Sequence, residues 1–197
     1  GLISVSMKST GSDYSRLAPP ALLIPEPPVY QIDGQIFTGE KAQIVPLISE
    51  SGKLEEVFVV NQGTGYSKPL HLRETISNIS EDQSLSEILN SFSKGQEFLE
   101  NIQNNRDYFL GAQLHASGLG ESVDGDFTIL EISDTDPVQL SIFPDFFPSN
   151  QAEASIFLYA KPNAPLIEVI GDSGRGAIAE AFISEPELIF IQKYRMI

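Results

Sequence analysis

The fold of this chain is decided by the stretch VFVVNQGTGY, residues 57–66, which reads as a β-strand running into a tight turn. β-Branched and aromatic residues favour an extended strand, and glycines supply the positive φ angles that tight turns need. A weaker copy, VSMKSTGSDY, occupies residues 5–14. Its Val, Gly and Tyr keep one spacing, because 57 − 5, 63 − 11 and 66 − 14 all equal 52. A fixed spacing of this size indicates a repeated structural unit.

A third, partial copy lies near the C-terminus, in residues 171–183. Adding 135 to residue numbers 39, 42, 48, 49 and 50 reaches the same residue types at 174, 177, 183, 184 and 185. The chain then continues through Leu188 to Ile191, where the next Gly-Tyr turn is missing. We therefore expect it to begin in the second half of one unit and to end in the first half of another, as a portion of something longer. Another chain or a missing portion would then complete both half-units. Chance coincidence of short strand-turn phrases is the alternative.

The residues of the predicted repeat turns are Gly11, Tyr14, Gly63, Gly65, Tyr66, Gly174 and Gly176. The phrases resemble a family of repeats in structural proteins of tailed bacteriophages, especially contractile-tailed phages of marine cyanobacteria. That pattern is roughly Gly-Ala-x-Ala-x-Val, a Gly, Ile-x-x-Val-x-Val, then Asn-Gly-Gly-x-Gly-Tyr and a later Pro, and residues 52–69 match it best. Gln62 and Asp13 each replace a Gly of the pattern.

The resemblance covers about the first 70 and the last 30 residues, and similar motifs occur in bacterial surface proteins. It implies a virion building block.

The alternation of short apolar runs with Gly, Asp and Pro turns predicts a mainly β (α+β) fold. We expect β-sandwich or barrel-like modules of short antiparallel strands, with one amphipathic helix inserted near residues 84–104. A capping box at Ser84 to Glu87 begins that helix, and Gly95 predicts a kink or break near Lys94-Gly95. The predicted domains are a β-repeat region 1–70 with a Pro-rich arm 18–28, a helical insertion 71–106, a β-strand domain 107–165 and a partial repeat 166–197.

Composition narrows the classes of partner. The 197 residues carry 12 basic and 27 acidic side chains, a net charge of −15, which repels phosphate backbones and anionic lipids. No apolar run approaches the roughly 20 residues that a membrane-spanning helix needs. We therefore expect neither nucleic acid nor membrane as a partner. The chain has no Cys, so thiolate chemistry and disulfides are excluded.

Residue patterns for catalysis are weak. The two histidines, His71 and His115, share no metal-binding spacing, and no Gly-x-Ser-x-Gly elbow occurs. The glycine loop at residues 171–176 lacks the Lys-Ser/Thr end of a P-loop. The acidic loops 124–126 and 134–136 are interpreted as turns, with a calcium site as the alternative. We expect no catalytic residue, no cofactor and no metal site.

Two apolar segments are predicted to form subunit contacts. The first is Leu22, Leu23 and Ile24 in the Pro-rich arm, and the second is Phe143, Phe146 and Phe147 between two prolines. The alternatives are that the arm packs on its own sheet and that the phenylalanines plug the end of a barrel.

The expected function is a non-enzymatic structural component of a phage virion, in the tail, baseplate or neck. Its partners would be other virion subunits, with copies of itself among the candidates. The alternative is a glycan-binding or adhesive module of a phage fibre or bacterial surface protein, which would use Tyr14, Tyr66 and Tyr108. A hydrolase is the third hypothesis, and no residue arrangement requires it.

Overall fold

A computed structural model describes residues 1–121, 123–171 and 173–185 of the chain. The strands are β1 Leu2–Ser12, β2 Ala21–Leu23, β3 Tyr30–Ile32, β4 Gln35–Phe37, β5 Gln43–Ile48, β6 Leu54–Asn61, β7 Leu70–Ile79, β8 Gln113–Ser117, β9 Gly125–Ile132, β10 Leu140–Phe143, β11 Gln151–Lys161, β12 Glu168–Ile170 and β13 Arg175–Ile183. The helices are α1 Leu85–Asn90, α2 Ser93–Asn104 and α3 Arg106–Phe109. The predicted mainly β fold is confirmed, and no sheet in the described ranges closes into a barrel.

The chain forms two compact units that alternate along the sequence. Of the described residues, the first unit contains 1–28, 38–67, 164–171 and 173–185, and the second contains 29–37, 68–121 and 123–163. The four consecutive segments expected from the sequence therefore differ from the observed division. The reason is strand pairing, since β1 pairs with β13 from the other end of the chain.

Two ribbons of the first unit have the same register. β5 and β6 pair as Gln43↔Asn61, Ile44↔Val59, Val45↔Phe58, Pro46↔Val57, Leu47↔Glu56 and Ile48↔Leu54. β13 and β1 pair as Ile178↔Ser9, Ala179↔Met7, Glu180↔Ser6, Ala181↔Val5, Phe182↔Ser4 and Ile183↔Leu2. Adding 135 to each residue number of β5 and subtracting 52 from each residue number of β6 converts the first set of pairs into the second. The offsets seen in the sequence thus recur in the backbone pairing.

The two ribbons also share their bulges. In the register of the internal pair, Glu55 and Val60 of β6 have no partner residue on β5. Ile3 and Lys8 of β1, which lie 52 positions earlier, likewise have no partner residue on β13. We call β5–β6 the internal repeat and β13–β1 the terminal repeat. The terminal repeat is built from the two ends of one chain. In the described residues, these half-units complete each other, and the expected completion by another chain is corrected.

The two repeats contact each other reciprocally along β1 and β6. The Leu2 amide donates to the Gln62 carbonyl at 2.8 Å, and the Tyr14 amide donates to the Gly52 carbonyl at 2.9 Å. The start of each strand therefore meets the end of the other. Between the repeats lies an apolar cluster of Tyr14, Ile48, Leu54 and Val57, with side chains of both repeats packed around it. Each repeat thus covers the apolar face of the other, which an isolated two-stranded ribbon cannot do alone.

The second unit contains an antiparallel sheet in the order β10-β9-β8-β11-β7. β3 and β4 form a hairpin whose two turn residues, Asp33 and Gly34, have φ angles of 51° and 77°. The Asn101 side chain, from α2, accepts from the Gln31 amide at 2.8 Å and donates to the Gln31 carbonyl at 2.9 Å. This buried amide therefore attaches the hairpin to the helix.

The single helix expected near residues 84–104 is two helices. The predicted capping box begins α1, because the Glu87 amide donates to Ser84 Oγ at 3.1 Å and the Ser84 amide donates to Glu87 Oε2 at 2.9 Å. The helix ends at Asn90, and Phe92 is extended before α2 starts, so the break precedes the predicted Lys94-Gly95 position. Gly95 is instead the point at which α2 approaches the backbone of α1 closely, since a Cβ on this residue would overlap the Leu89 carbonyl.

Within the described ranges, no helix combines the length and the apolar character that crossing a bilayer would require.

Candidate functional site

The most specific local structure of the chain is the tyrosine corner of the internal repeat. Tyr66 is fully buried, and its hydroxyl accepts from the Ala42 amide at 3.0 Å while donating to the Pro25 carbonyl at 2.9 Å. Gly63 and Gly65 precede it with φ angles of 64° and 86°, which glycine adopts without strain. The tyrosine ring therefore closes the strand-turn unit and attaches it to the Pro-rich arm.

The terminal repeat has the corresponding corner at Tyr14. This side chain is buried, and its hydroxyl accepts from the Ala177 amide at 3.1 Å. Gly11 and Asp13, which occupy the positions of Gly63 and Gly65, have φ angles of 61° and 65°. Asp is one of the few other residue types that tolerate this conformation, so the departure from the glycine pattern at Asp13 leaves the turn unchanged.

The glycines of the C-terminal copy serve the Tyr14 corner. A Cβ on Gly174 would overlap the Tyr14 ring, so only glycine permits this contact. Gly176 has a φ of 82° and lies opposite Gly11. The predicted repeat-turn residues therefore come together in two corners, one in each repeat.

Burial raises the pKa of the Tyr66 hydroxyl. The bond from the Ala42 amide acts in the opposite direction, and the nearby Glu26 carboxylate raises the pKa further. The group is thus neutral at physiological pH and serves as a hydrogen-bonding group.

The Pro-rich arm differs from its predicted role. β2 pairs with β12, Ile24 is buried, and Leu22 packs on the apolar cluster of the first unit. Leu23 alone among the three predicted contact residues is largely exposed, at 46%. The prediction of Leu22 and Ile24 as subunit contacts is corrected, because an apolar strand beside an incomplete core lowers its free energy by packing there.

The aromatic segment, residues 142–148, presents two of its three phenylalanines to solvent. Phe143 is 63% exposed and Phe147 is 67% exposed. Phe146 is half-buried, and its ring lies edge-on to Phe127 with centroids 6.0 Å apart. One ring therefore anchors the segment to the sheet while two remain available for contact. The barrel-end alternative is corrected, since no barrel closes in the described residues.

An apolar surface that the sequence analysis does not predict lies on the internal repeat. Val45, Leu47, Phe58 and Val60 are 44%, 43%, 45% and 63% exposed and share the face opposite the core-facing Ile44, Val57 and Val59. We call these four residues the apolar outer face. The signal was the unbroken apolar run 57–60, because a half-buried strand normally alternates apolar and polar residues.

The three tyrosines proposed for glycan stacking are buried. Tyr14, Tyr66 and Tyr108 have 6%, 0% and 7% of their surface exposed. The acidic loops have local structural roles. Asp124 accepts from the Leu119 amide at 3.0 Å, and Asp134 forms an ion pair with Arg106. Among the residues that the structure describes, no group of three or more His, Asp or Glu side chains could hold a metal ion.

A small cleft lies between β7 and α2 in the second unit. Its volume is about 190 Å³, and its lining includes His71, Arg73, Lys94 and Glu97. Burial, and then the charge of Lys68, lowers the pKa of His71. The cleft is smaller than the roughly 300–1,000 Å³ typical of ligand pockets.

No protein-family model, no curated protein and no solved structure matches this chain.

Proposed function

We propose that this chain is a non-enzymatic structural component of a phage virion, in the tail, baseplate or neck, that keeps neighbouring subunits in register. The observation that carries the proposal is the duplicated ribbon with one register, one pair of bulges and one tyrosine corner. Its most specific hydrogen bonds join backbone to backbone or close a corner, which is what a building block requires.

The aromatic segment supports a role in assembly. Phe143 and Phe147 are exposed, and the contact of Phe146 with Phe127 fixes the segment to the sheet. Binding through these two side chains would bury a large apolar area with little further loss of conformational entropy, and such aromatic residues dominate the energetics of many interfaces. We propose Phe143 and Phe147 as contacts to another virion subunit. A glycan-binding module is the weaker candidate, because its proposed tyrosines are buried.

The test of the proposal is the composition of the particle. Density-gradient-purified particles of the phage that encodes the chain should contain it at a constant copy number, retained after a high-salt wash, as judged by quantitative mass spectrometry. A non-structural protein of the same phage serves as the control and should be absent. Recovery of the chain only from the soluble lysate would overturn the proposal.

The contact residues are tested separately. A Phe143→Ser/Phe147→Ser variant should be incorporated into particles at least tenfold less than wild type, because removing interface aromatics weakens binding strongly. Ile36→Ser is the matched control, since Ile36 is 71% exposed but lies outside the aromatic segment. Normal incorporation of the double variant would remove these two residues from the interface while leaving the particle result intact.

A further inference from the structure

The five-stranded sheet of the second unit carries different chemistry at its two edges. Its strand order is β10-β9-β8-β11-β7, so β10 and β7 are the outermost strands. The aromatic segment begins on β10, whereas the cleft borders β7 and α2. Four strand spacings of about 4.8 Å separate the two edge strands, which gives about 19 Å. The aromatic segment of one chain therefore lies far from the cleft of the same chain.

The cleft has room for one phenyl ring. Its volume is about 190 Å³. An apolar cavity of about 150 Å³ is large enough to bind benzene. Leu70, Leu72 and Phe98 are buried residues that line the cleft. A phenylalanine side chain that enters the cleft therefore finds both space and apolar contacts.

Charged side chains also line the cleft. Arg73 and Lys94 are positive and Asp33 and Glu97 are negative, so the charges of these four balance in a chain of net charge −15. The Glu97 carboxylate accepts a hydrogen bond from the Asp33 amide at 3.1 Å, which attaches it to the β3–β4 hairpin. Lys94 is exposed at the start of α2. Its ammonium group is therefore placed to pair with a carboxylate that approaches from outside.

The aromatic segment lies in an acidic part of the second unit. Residues 116–160 contain eight Asp and Glu residues and no Lys, Arg or His. Asp145 stands between Phe143 and Phe147, and all three side chains are exposed. Glu131 adds a second carboxylate, because it pairs with Ser141 of β10. The segment thus combines exposed aromatic rings with negative charge, which complements an apolar cleft that carries Lys94.

We propose that the aromatic segment of one copy of the chain docks in the cleft of a second copy. Phe143 enters the cleft, and Asp145 approaches Lys94. The inference rests on the assembly role proposed above for Phe143 and Phe147, and it names the subunit that they contact. Because the segment and the cleft are different surfaces at opposite edges of one sheet, each bound copy leaves one of them open. The contact is heterologous, and successive copies form a ring or a filament.

The net charge of −15 does not prevent this contact. At physiological ionic strength the electrostatic screening length is about 8 Å, so charges remote from the contact are largely screened. The groups at the contact are Asp145 and Lys94, which have opposite signs. A stable interface buries about 800 Å² on each partner, and insertion of one aromatic segment buries less. We therefore expect weak association that depends on protein concentration.

Sedimentation equilibrium of the purified full-length chain tests the inference. At about 0.15 M salt, where distant charges are screened, the average mass should rise steadily with protein concentration. A single monomeric species at every concentration up to about 1 mM would overturn the inference and would assign the segment to a different subunit.

Variants assign the association to the two surfaces. Phe143→Ser/Phe147→Ser and Lys94→Glu should each weaken it at least tenfold. Leu166→Ser, at a position that is 82% exposed, is the control for the phenylalanines. Lys53→Glu makes the same charge change as Lys94→Glu on an exposed lysine of the first unit. Both controls should associate like wild type, and equal association in the two surface variants would contradict the docking.

A mixture of the two weakened variants tests the pairing itself. The Phe143→Ser/Phe147→Ser chain retains its cleft, and the Lys94→Glu chain retains its aromatic segment. An equimolar mixture should therefore form dimers with one chain of each kind that do not grow further, which chains that had merely lost their fold could not do. A mixture no larger than its components would overturn the inference. The measurement uses the purified chain alone, so its failure leaves the particle test of the proposed function intact.

Discussion

The Tyr14 hydroxyl accepts a hydrogen bond from the Ala177 amide at 3.1 Å, although 163 residues separate the two along the chain. Tyr66 makes the same bond to Ala42, only 24 residues away. One local structure is thus built once from neighbouring sequence and once from the two ends of the chain. The corner at Tyr14 therefore depends on the pairing of β1 with β13.

Removal of either corner hydroxyl leaves an amide without its partner. We expect Tyr66→Phe to lower the free energy of unfolding by about 1–3 kcal/mol, since the Ala42 amide would become an unsatisfied buried donor. Tyr14→Phe should lower it by about 0.5–1.5 kcal/mol, since the bond from the Ala177 amide is only partly buried. Tyr66→Phe should have the larger effect, because its hydroxyl also donates to Pro25. Urea denaturation followed by circular dichroism measures both. A Tyr66→Phe variant as stable as wild type would show that water replaces these bonds.

Leu2 and Leu54 occupy equivalent positions, and both are fully buried. Truncation of either to Ala should lower the free energy of unfolding by about 2–5 kcal/mol, as for other buried leucines. Leu2 belongs to the repeat whose strands are far apart in the sequence, so the result for Leu2 is the informative one. Ile3→Ala is the control, because this neighbour is 56% exposed and should change stability by less than about 0.5 kcal/mol. A mild effect of Leu2→Ala, similar to that of Ile3→Ala, would contradict the importance of β1 in the fold.

Gly95→Ala should destabilise the chain although alanine is the better helix former. Helix propensity alone favours alanine by about 1 kcal/mol. The added Cβ would overlap the Leu89 carbonyl, where the end of α1 passes α2, and we expect this overlap to reverse the sign. Ser93→Ala, at the exposed start of the same helix, is the control. Thermal unfolding of both variants measures the effect, and a higher melting temperature for Gly95→Ala would show that the helices separate easily.

The lowered pKa of His71 predicts a pH dependence of stability. The unfolded chain has a histidine pKa near 6.5, so below that pH the unfolded state binds a proton that the folded state binds less readily. Above about pH 6.5, His71 is neutral in both states and costs the fold nothing. As the pH falls from there towards the lower folded-state pKa, protonation favours the unfolded state and the free energy of unfolding decreases.

His71→Gln should lose less stability than wild type when the pH is lowered from about 7.5 to about 5.5. Urea denaturation at several pH values measures the slope. His115→Gln is the parallel variant, because it removes the other histidine and keeps His71. Identical pH slopes for the two variants would refute the assignment to His71.

Part of the fold could be predicted because its signals are local. The capping box at Ser84 and Glu87 and the Asp33-Gly34 turn depend on residues within four positions of each other, and both are present. The break between α1 and α2 was misplaced, because Gly95 serves the packing against Leu89 and not a local kink. The apolar outer face was missed because the valines that fill the core and those that remain exposed follow each other in one run.

The presence of two strand-turn units follows from the residue types alone, since their offsets of 52 and 135 are visible there and recur in the register. The pairing of β13 with β1, the burial of Ile24 and the exposure of Phe143 and Phe147 depend instead on contacts between distant segments. The physical reason is that turn conformations depend on φ preferences of a few adjacent residues. The choice of pairing partner depends on how much apolar surface two distant segments bury together, which no local pattern specifies.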